Sequence, residues 1–235
     1  MLEPSAVRAR LANVRERIAR AADRAGRDPS QVRLIAISKT FGVDAIRAAA
    51  QAGQVDFGEN KLQEAQQKRH DTADLPLRWH LVGHLQSNKA RKAAAEFDVI
   101  HSIDSASLLQ KVDDAAAGMG RRIQLLVQVD LAGEPTKHGA REDNLASIFE
   151  AARQATRASV TGLMLLPPAA GNPEDARGWF RKLREVRDTL AGTGVSASML
   201  TELSMGMSHD YEIAVEEGST LVRVGTAIFG RRGQP

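Results

Sequence analysis

A lysine stands at the end of a short apolar segment, in the stretch LIAISKT of residues 34–40. The segment is brief, contains β-branched residues and lacks helical periodicity, which is typical of a buried strand. A lysine amine attacks carbonyl groups when burial or nearby positive charge favours loss of its proton. Exposed lysines are common, so Lys39 taken alone more often indicates a surface residue that closes a strand.

A second group of residues, near the carboxyl end of the chain, is suited to phosphate. The stretch LSMGMSHD of residues 203–210 is predicted to be a glycine-containing loop followed by a helix that begins near Ser208. The first turn of a helix offers unpaired N–H groups and the positive end of the helix dipole, and both favour an anion. Further on, VRVGTAIFG of residues 222–230 ends a strand with Arg223, Gly225 and Thr226.

Other strand ends carry polar residues with ordinary explanations. Asn60 in the stretch FGEN is predicted to cap the next helix, with a functional role not excluded. His80, inside a strand, is more often a hydrogen-bonded core residue than a ligand. His80 and His84 are four apart but flank a strand-to-loop turn, so they cannot form the pair of metal ligands that a helix would present, and no metal site is predicted.

These residues require a scaffold of alternating strands and helices. An amphipathic helix is predicted first, with Ser5 as its N-cap, a buried stripe that includes Val7 and Leu11, and an end at Gly26 and Pro29. Strands are predicted over 33–37, 54–57, 78–82, 98–101, 122–129, 160–164, 199–203 and 220–224. The intervening helices are predicted near 43–51, 60–69, 88–96, 105–117, 142–156, 174–190 and 208–217.

Eight strands separated by helices imply parallel pairing, and together with the length of 235 residues they predict an α/β fold of the (β/α)8 TIM barrel type. A doubly wound open sheet is the alternative. A single domain over 1–235 is expected, with an N-terminal helix in 1–30 and the barrel in 31–235. The active sites of such barrels lie at the carboxyl ends of the strands, which is where Lys39 is placed.

Composition narrows the class of protein. The chain has 32 basic and 29 acidic residues and a net charge of +3, which does not favour a nucleic-acid partner. It has no cysteine, which excludes disulfides and thiolate–metal sites. No apolar stretch resembles a signal peptide or a membrane span. A cytoplasmic protein is expected, and a monomer is favoured.

A lysine amine and a phosphate-binding region on one barrel rim suit a phosphorylated aldehyde or ketone held as a Schiff base. Two ligands have this chemistry: the sugar-phosphate substrate of an aldolase, and pyridoxal 5′-phosphate.

Several stretches together resemble the pyridoxal phosphate homeostasis protein family, whose fold is similar to the barrel domain of alanine racemase. The matching stretches, in order, are AISKT (36–40), FGEN (57–60), WHLVGHLQSNK (79–89), HSIDS (101–105), GLMLLPP (162–168), LSMGMSHDYEIAVEEGST (203–220) and LVRVGTAIFG (221–230). Their order and spacing extend over nearly the whole chain from residue 34.

The resemblance implies a role for each candidate residue. Lys39 corresponds to the lysine that holds the cofactor as a Schiff base, and Arg223 to an arginine that faces the pyridine nitrogen. Ser208, Gly225 and Thr226 correspond to positions that hold the cofactor phosphate. Asn60 and His80 correspond to supporting positions near the ring.

The resemblance also implies a carrier that takes part in vitamin B6 homeostasis, without established turnover and with PLP-requiring apo-enzymes as possible partners. The alternative is a single-domain PLP-dependent amino-acid racemase. Alanine racemases that resemble this barrel carry a second domain whose tyrosine is the opposite base. The only tyrosine here is Tyr211, predicted near the start of a helix, so a two-base racemase is not favoured for the monomer.

Overall fold

Eight short strands form one closed sheet in the computed structural model of the protein, which describes residues 3–133, 138–169 and 171–230. The strands are β1 (Arg33–Ile37), β2 (Asp56–Glu59), β3 (Arg78–Leu81), β4 (Val99–Ile103), β5 (Ile123–Gln128), β6 (Ala158–Met164), β7 (Glu202–Met207) and β8 (Leu221–Val224). Each strand pairs in parallel with the next, and β8 pairs with β1. The predicted (β/α)8 barrel is confirmed, and the doubly wound open sheet is wrong.

Helices connect the strands around the outside of the barrel, because a parallel pair needs a crossover connection. They are α1 (Pro4–Arg24), α2 (Val43–Gln51), α3 (Leu62–Asp71), α4 (Ala90–Glu96), α5 (Ala106–Gly118), α6 (Leu145–Gln154), α7 (Arg177–Gly192), α8 (Tyr211–Glu216) and α9 (Thr226–Phe229). The predicted sequence of helices is confirmed, and α9 is an additional turn that the sequence pattern did not indicate.

Alternation along the strands divides the buried side chains into two layers. A small apolar cluster joins residues of six strands or their ends and therefore fills the barrel interior; its members are Ile35, Ile37, Val82, Val99, Leu126, Met164 and Leu221. Val222 and Val224 belong to the larger cluster between the strands and the helices. Arg223, which lies between them on β8, consequently faces the interior, as the alternation predicts.

The first helix packs against α2, α8 and α9 through the predicted apolar stripe, which is buried. Ser5 is not its N-cap, because the helix already begins at Pro4 and Glu3 occupies the capping position. Proline fits the first helical position since its missing N–H has no partner there in any case. Gly26, with φ of +64°, follows the end of the helix as predicted.

Two strands have residue bounds that differ from the predicted ones. Strand β2 covers Asp56–Glu59 rather than 54–57, so FGE belongs to the strand and Asn60 follows it; Lys61, not Asn60, is the N-cap of α3. Strand β7 covers Glu202–Met207 rather than 199–203. Gly206 lies inside this strand with φ of +91°, beside an irregularity in the register with β8. A glycine among small residues resembles a loop, which explains the error.

The helix predicted from Ser208 begins three residues later, at Tyr211. The backbone at Gly206 accounts for the close packing of β7 on this helix. A Cβ at position 206 would lie 2.5 Å from Ala214 Cβ, a distance that ordinary contacts do not allow. Ser208 therefore belongs to the turn between β7 and α8.

Across the described part of the chain, no helix combines the length and the apolar character that a bilayer crossing requires.

Candidate functional site

A cavity of about 540 Å³ opens at the carboxyl ends of the strands. Six of the seven residues that the sequence singled out line it, namely Lys39, Asn60, Ser208, Arg223, Gly225 and Thr226. They come from the ends of β1, β2, β7 and β8, which lie far apart in the sequence and adjacent in the barrel. Parallel strands end at the same rim of a barrel, so polar residues at the ends of neighbouring strands lie close together there.

Lys39 is half-buried and stands two residues beyond Ile37, a member of the interior cluster. It belongs to a tight turn in which the Phe41 N–H donates to the Ser38 carbonyl at 3.0 Å. The neighbouring Thr40 has φ of +70°, the left-handed conformation that residues with a side chain seldom adopt. Such conformations cluster at functional sites, and here one immediately follows the amine that lines the cavity.

On the same rim, backbone amides converge on one side-chain oxygen. Ser208 Oγ accepts a hydrogen bond from the Gly225 N–H at 3.1 Å and from the Ala227 N–H at 3.4 Å. These amides belong to the N-cap and the first turn of α9, where N–H groups have no partner within the helix. Two donors directed at one oxygen, with the hydroxyl proton still available, form a small pocket for the oxygens of an anion.

Glycine at position 225 permits β8 to approach β1 beneath Lys39. A Cβ at this position would lie 3.1 Å from the Ile37 carbonyl oxygen, tighter than nearly all real Cβ contacts. The absence of a side chain at Gly225 therefore keeps the amide-lined pocket close to the strand that ends in Lys39.

Arg223 lines the cavity from below and is 3% exposed. Its Nη1 donates to the Ser204 carbonyl at 2.7 Å and its Nη2 to the Leu165 carbonyl at 2.8 Å. Burial lowers the pKa of Arg223 to about 10, with the charge of Asp210 opposing the shift, so the guanidinium stays cationic at neutral pH. A charged donor with no ability to accept a proton is thus fixed at the base of the cavity.

His80 does not line the cavity. It is fully buried inside the barrel, in the hydrogen-bonded core setting that the sequence favoured for an isolated strand histidine. A chain of hydrogen bonds nevertheless connects it to the site. Arg223 Nη1 donates to Ser204 Oγ at 2.6 Å, and Ser204 Oγ lies 2.9 Å from His101 Nδ1. His101 Nε2 lies 2.9 Å from His80 Nδ1, and His80 Nε2 lies 2.9 Å from Asp56 Oδ1.

We call this chain of hydrogen bonds the interior relay; its members are Arg223, Ser204, His101, His80 and Asp56. The residues at its two ends, Arg223 and Asp56, determine where its protons lie. An arginine only donates, so the Ser204 hydroxyl accepts from it and gives its own proton to His101 Nδ1. His101 then carries its proton on Nε2 and donates to His80 Nδ1, and His80 in turn donates from Nε2 to Asp56. Both imidazoles are neutral in this arrangement.

Burial lowers the pKa of both relay histidines, because an imidazolium loses its hydration there. For His101 the positive charges that His80 would carry and that Arg223 carries act in the same direction, and its pKa lies well below the ordinary range. For His80 the Asp56 carboxylate opposes the shift. The pKa of Asp56 is itself lowered: burial raises it, and the hydrogen bond from His80 together with the positive charges of Arg78 and Arg33 outweighs that effect.

We expect this relay to make folding sensitive to mild acid. Below about pH 6.5 the unfolded chain binds protons on histidines that the folded chain leaves neutral, so stability falls as the pH decreases towards the folded pKa values.

Replacing His101 with glutamine removes one histidine that binds a proton in the unfolded chain but not in the folded chain. The slope of unfolding free energy against pH between 6.5 and 5 is expected to decrease by up to about 1.4 kcal/mol per pH unit. Denaturant titrations at stepped pH measure this slope, His70→Gln is the exposed control, and equal slopes for H101Q and wild type would contradict the arrangement.

Two further histidines lie at the cavity rim. The rings of His84 and His138 stack at 3.5 Å with 13° between their planes. Burial, followed by the proximity of His138, lowers the pKa of His84, while Asp104 opposes this. The two stacked rings give this side of the cavity an aromatic wall.

Several residues that line the cavity or belong to the interior relay escaped the sequence analysis. Gln128 and His138 line the cavity, and Gln128 Nε2 donates to the His138 carbonyl. Their residue types are common in loops, so no local pattern distinguished them. Asp56 and Ser204 could have been found, because they lie at inward-facing positions where an apolar residue is expected.

Two alternative chemistries receive no support from the geometry. The residues that the structure describes contain no group of three or more histidine, aspartate and glutamate side chains that could hold a metal ion. Tyr211 begins α8, as predicted, but it is buried with its ring under the Arg17 guanidinium at 5.4 Å and is not part of the cavity lining. It is therefore not placed to exchange protons with a ligand there.

The closed parallel barrel, with an amine and converging backbone amides around a cavity at its carboxyl rim, defines a class of (β/α)8 barrel proteins with a polar ligand cavity at the strand ends. A family model of the alanine racemase N-terminal domain matches residues 9–233. A pyridoxal phosphate homeostasis protein of Aquifex aeolicus is 42% identical over 223 residues, which are 95% of this chain and 97% of that protein. The chain therefore belongs to the alanine racemase N-terminal domain family, among its pyridoxal phosphate homeostasis proteins.

Solved structures agree with this assignment. The structure of PipY from Synechococcus elongatus PCC7942 with PLP bound has 40% sequence identity to this chain and a TM-score of 0.85. The match covers 95% of this chain and 100% of the PipY chain. Alanine racemase of Clostridium difficile 630 has a TM-score of 0.76 at 13% identity, with 99% of this chain aligned to 58% of the enzyme. The second likeness is one of fold alone.

Proposed function

We propose that this protein binds pyridoxal 5′-phosphate at the described cavity, holds it as a Schiff base on Lys39, and serves intracellular vitamin B6 homeostasis. The observation that carries the proposal is the convergence on one rim of the Lys39 amine and the amide pocket at Ser208. The PLP-bound state of PipY and the names of the curated relatives support the same ligand.

The residues present fit the chemistry of this cofactor. The amides of Gly225 and Ala227, together with the Ser208 and Thr226 hydroxyls, suit a phosphate, since they supply donors without a bulky side chain. Ile37, Val82 and Leu166 supply apolar lining suited to an aromatic ring. Lys39 supplies the amine that condenses with an aldehyde and releases water.

When bound, pyridoxal 5′-phosphate supplies a reactive aldehyde and a ring that withdraws electrons. Arg223 would hold the ring nitrogen of the bound cofactor, and a cationic guanidinium there would donate a hydrogen bond without giving that nitrogen a proton. The ring is then a weaker electron sink than one paired with a carboxylate. This favours a protein that stores the aldehyde over one that turns amino acids over.

Storage also requires release, and we propose that PLP-requiring apo-enzymes of the cytoplasm are the recipients. Thr226 and Asn60 are exposed on the cavity wall, so the proposed ligand lies near the protein surface. A bound aldehyde in this position is screened from other amines and can still be reached by a competing one.

Trapping the ligand tests the proposed function. Purified protein is incubated with pyridoxal 5′-phosphate, reduced with borohydride, digested and analysed by mass spectrometry. We expect a yellow solution before reduction, and afterwards the mass of one phosphopyridoxyl group on the peptide that contains Lys39. A colourless protein that stays unlabelled would disprove the proposal.

Two measurements, the mass of the trapped adduct and solvent deuterium exchange, separate the alternatives. An aldolase would instead give the adduct of a sugar phosphate when offered such substrates. A racemase would introduce solvent deuterium at the α-carbon of an amino acid in a reaction that needs Lys39, and we expect no such exchange across a broad amino-acid panel.

A further inference from the structure

One lysine of α3 has an ammonium group whose three N–H donors are all in use. Lys68 is 6% exposed, and its Nζ lies 2.7 Å from the Ser38 carbonyl oxygen and 2.7 Å from Glu59 Oε1. It also lies 2.6 Å from Glu64 Oε1. An ammonium has three donors, so these three acceptors fix its position fully.

These partners surround the turn that carries Lys39. The Ser38 carbonyl precedes Lys39 in the chain and accepts from Lys68, while the Thr40 N–H follows Lys39 and donates to Glu64. The Ser38 hydroxyl donates to Glu59 Oε1 at 2.6 Å. Both peptide groups next to Lys39 are therefore attached to one helix.

The turn needs such support for two reasons. Thr40 has a left-handed backbone, which is unfavourable for a residue with a side chain unless its surroundings impose it. Glu59 is fully buried, and its Oε2 has no hydrogen-bond partner among the described residues, so its charge depends on Lys68. Burial raises the pKa of Glu59, and the Lys68 and Ser38 hydrogen bonds oppose that shift.

We infer that Lys68, Glu64 and Glu59 are positioning residues that hold the Lys39 turn, and with it the amine, in the orientation needed for reaction with the cofactor aldehyde. We call Lys68 and Glu64 of α3, together with Glu59 of β2, the α3 clamp. These three residues lie behind the turn and do not line the cavity. The clamp keeps the amine in place whether or not a ligand is bound. This inference rests on the proposed function, because it assigns residues that act through Lys39.

Glu64 offers the cleanest test, since its side chain is 26% exposed and its removal leaves Lys68 bound to Glu59 and Ser38. Glu64→Ala removes the acceptor of the Thr40 N–H. Glu64→Gln keeps an amide oxygen there and serves as the conservative rescue. Gln67→Ala is the matched control, because Gln67 is exposed on the same helix and its side chain hydrogen-bonds to Asp71, away from the Lys39 turn.

The readouts separate positioning from folding and from ligand affinity. Stopped-flow absorbance gives the rate of Schiff-base formation at saturating pyridoxal 5′-phosphate. Binding of pyridoxine 5′-phosphate, which lacks the aldehyde, reports the phosphate and ring contacts alone. We expect E64A to form the Schiff base about tenfold more slowly or worse, because small displacements of reacting groups have large effects on rate. E64Q is expected to recover most of the rate, and pyridoxine 5′-phosphate to bind all variants within about twofold.

A second variant covers the case in which E64A unfolds. Thr40→Gly removes the unfavourable left-handed side chain and also loosens the turn. We expect a melting temperature at or above that of wild type together with slower Schiff-base formation, a combination that a purely structural role would not produce. Wild-type rates in both E64A and T40G would overturn the clamp and leave the proposed function intact. A wild-type protein that forms no Schiff base would overturn both.

Discussion

Replacing Lys39 with alanine is expected to abolish the borohydride-stable adduct and to weaken binding of pyridoxal 5′-phosphate by about a hundredfold or more. A hundredfold corresponds to about 2.8 kcal/mol, the contribution that we assign to the imine bond. The Gly225 N–H donates to Ser208 Oγ at 3.1 Å, and we expect this proposed phosphate site to survive the substitution. Affinity for pyridoxine 5′-phosphate should consequently stay close to that of wild type.

Absorbance titrations, mass spectrometry after reduction and calorimetry with the two ligands measure these quantities. Lys92→Ala, an exposed lysine of α4, is the matched control for loss of an amine and should be labelled like wild type. Persistence of the adduct in K39A at wild-type yield would show that a different lysine holds the aldehyde.

Replacing Arg223 with methionine is expected to lower the free energy of unfolding by about 3 kcal/mol. The substitution leaves the carbonyls of Ser204 and Leu165 and the Ser204 hydroxyl without their charged donor inside the barrel. The Ser204 carbonyl keeps the Leu165 N–H at 3.0 Å, and the Ser204 hydroxyl keeps His101, so the loss is mainly that of hydrogen bonds from a charged donor. Such a bond contributes about 1.5–3 kcal/mol, and part of the total is recovered because an arginine no longer has to be buried.

Urea denaturation of the ligand-free protein measures the loss. Arg153→Met, on an exposed face of α6, is the control and should change stability by no more than about 0.5 kcal/mol. With ligand present, R223M should also alter the pH at which the Schiff-base absorbance changes, because the donor assigned to the ring nitrogen is gone. Unchanged stability and an unchanged spectrum would show that Arg223 is neither structural nor close to the ring.

The fold was predictable because the number and order of strands and helices largely determine it. Eight apolar segments separated by helical ones leave few parallel arrangements, and the length matches a barrel. Strand ends were harder to place. Gly206 lies within β7 although its neighbours resemble a loop, because its left-handed backbone is required by packing against Ala214, a contact that no local pattern reveals.

The candidate site was predictable to the extent that it lies on the rim. Lys39 and Arg223 are a lysine and an arginine at or near strand ends, where a barrel has its cavity, and both line it. The side chain of His80 also faces the barrel interior, but it lies below the cavity and hydrogen-bonds to His101. Lys68 is separated from Lys39 by 29 positions in the sequence, and its role depends on how α3 packs against the strand ends, which periodicity does not specify.

The interior relay also bears on how the barrel closes during folding. Its links come one each from β2, β3, β4, β7 and β8, so a partial barrel of the first four strands would contain Asp56, His80 and His101 only. In such an intermediate His101 Nδ1 would have neither the Ser204 hydroxyl nor solvent once it was covered. The last two strands supply the missing partners, Ser204 and Arg223, and only the closed barrel contains the whole relay. The interior relay therefore makes half-closed barrels unfavourable, and the pairing of β8 with β1 that closes the barrel also brings Gly225 next to the strand that precedes Lys39.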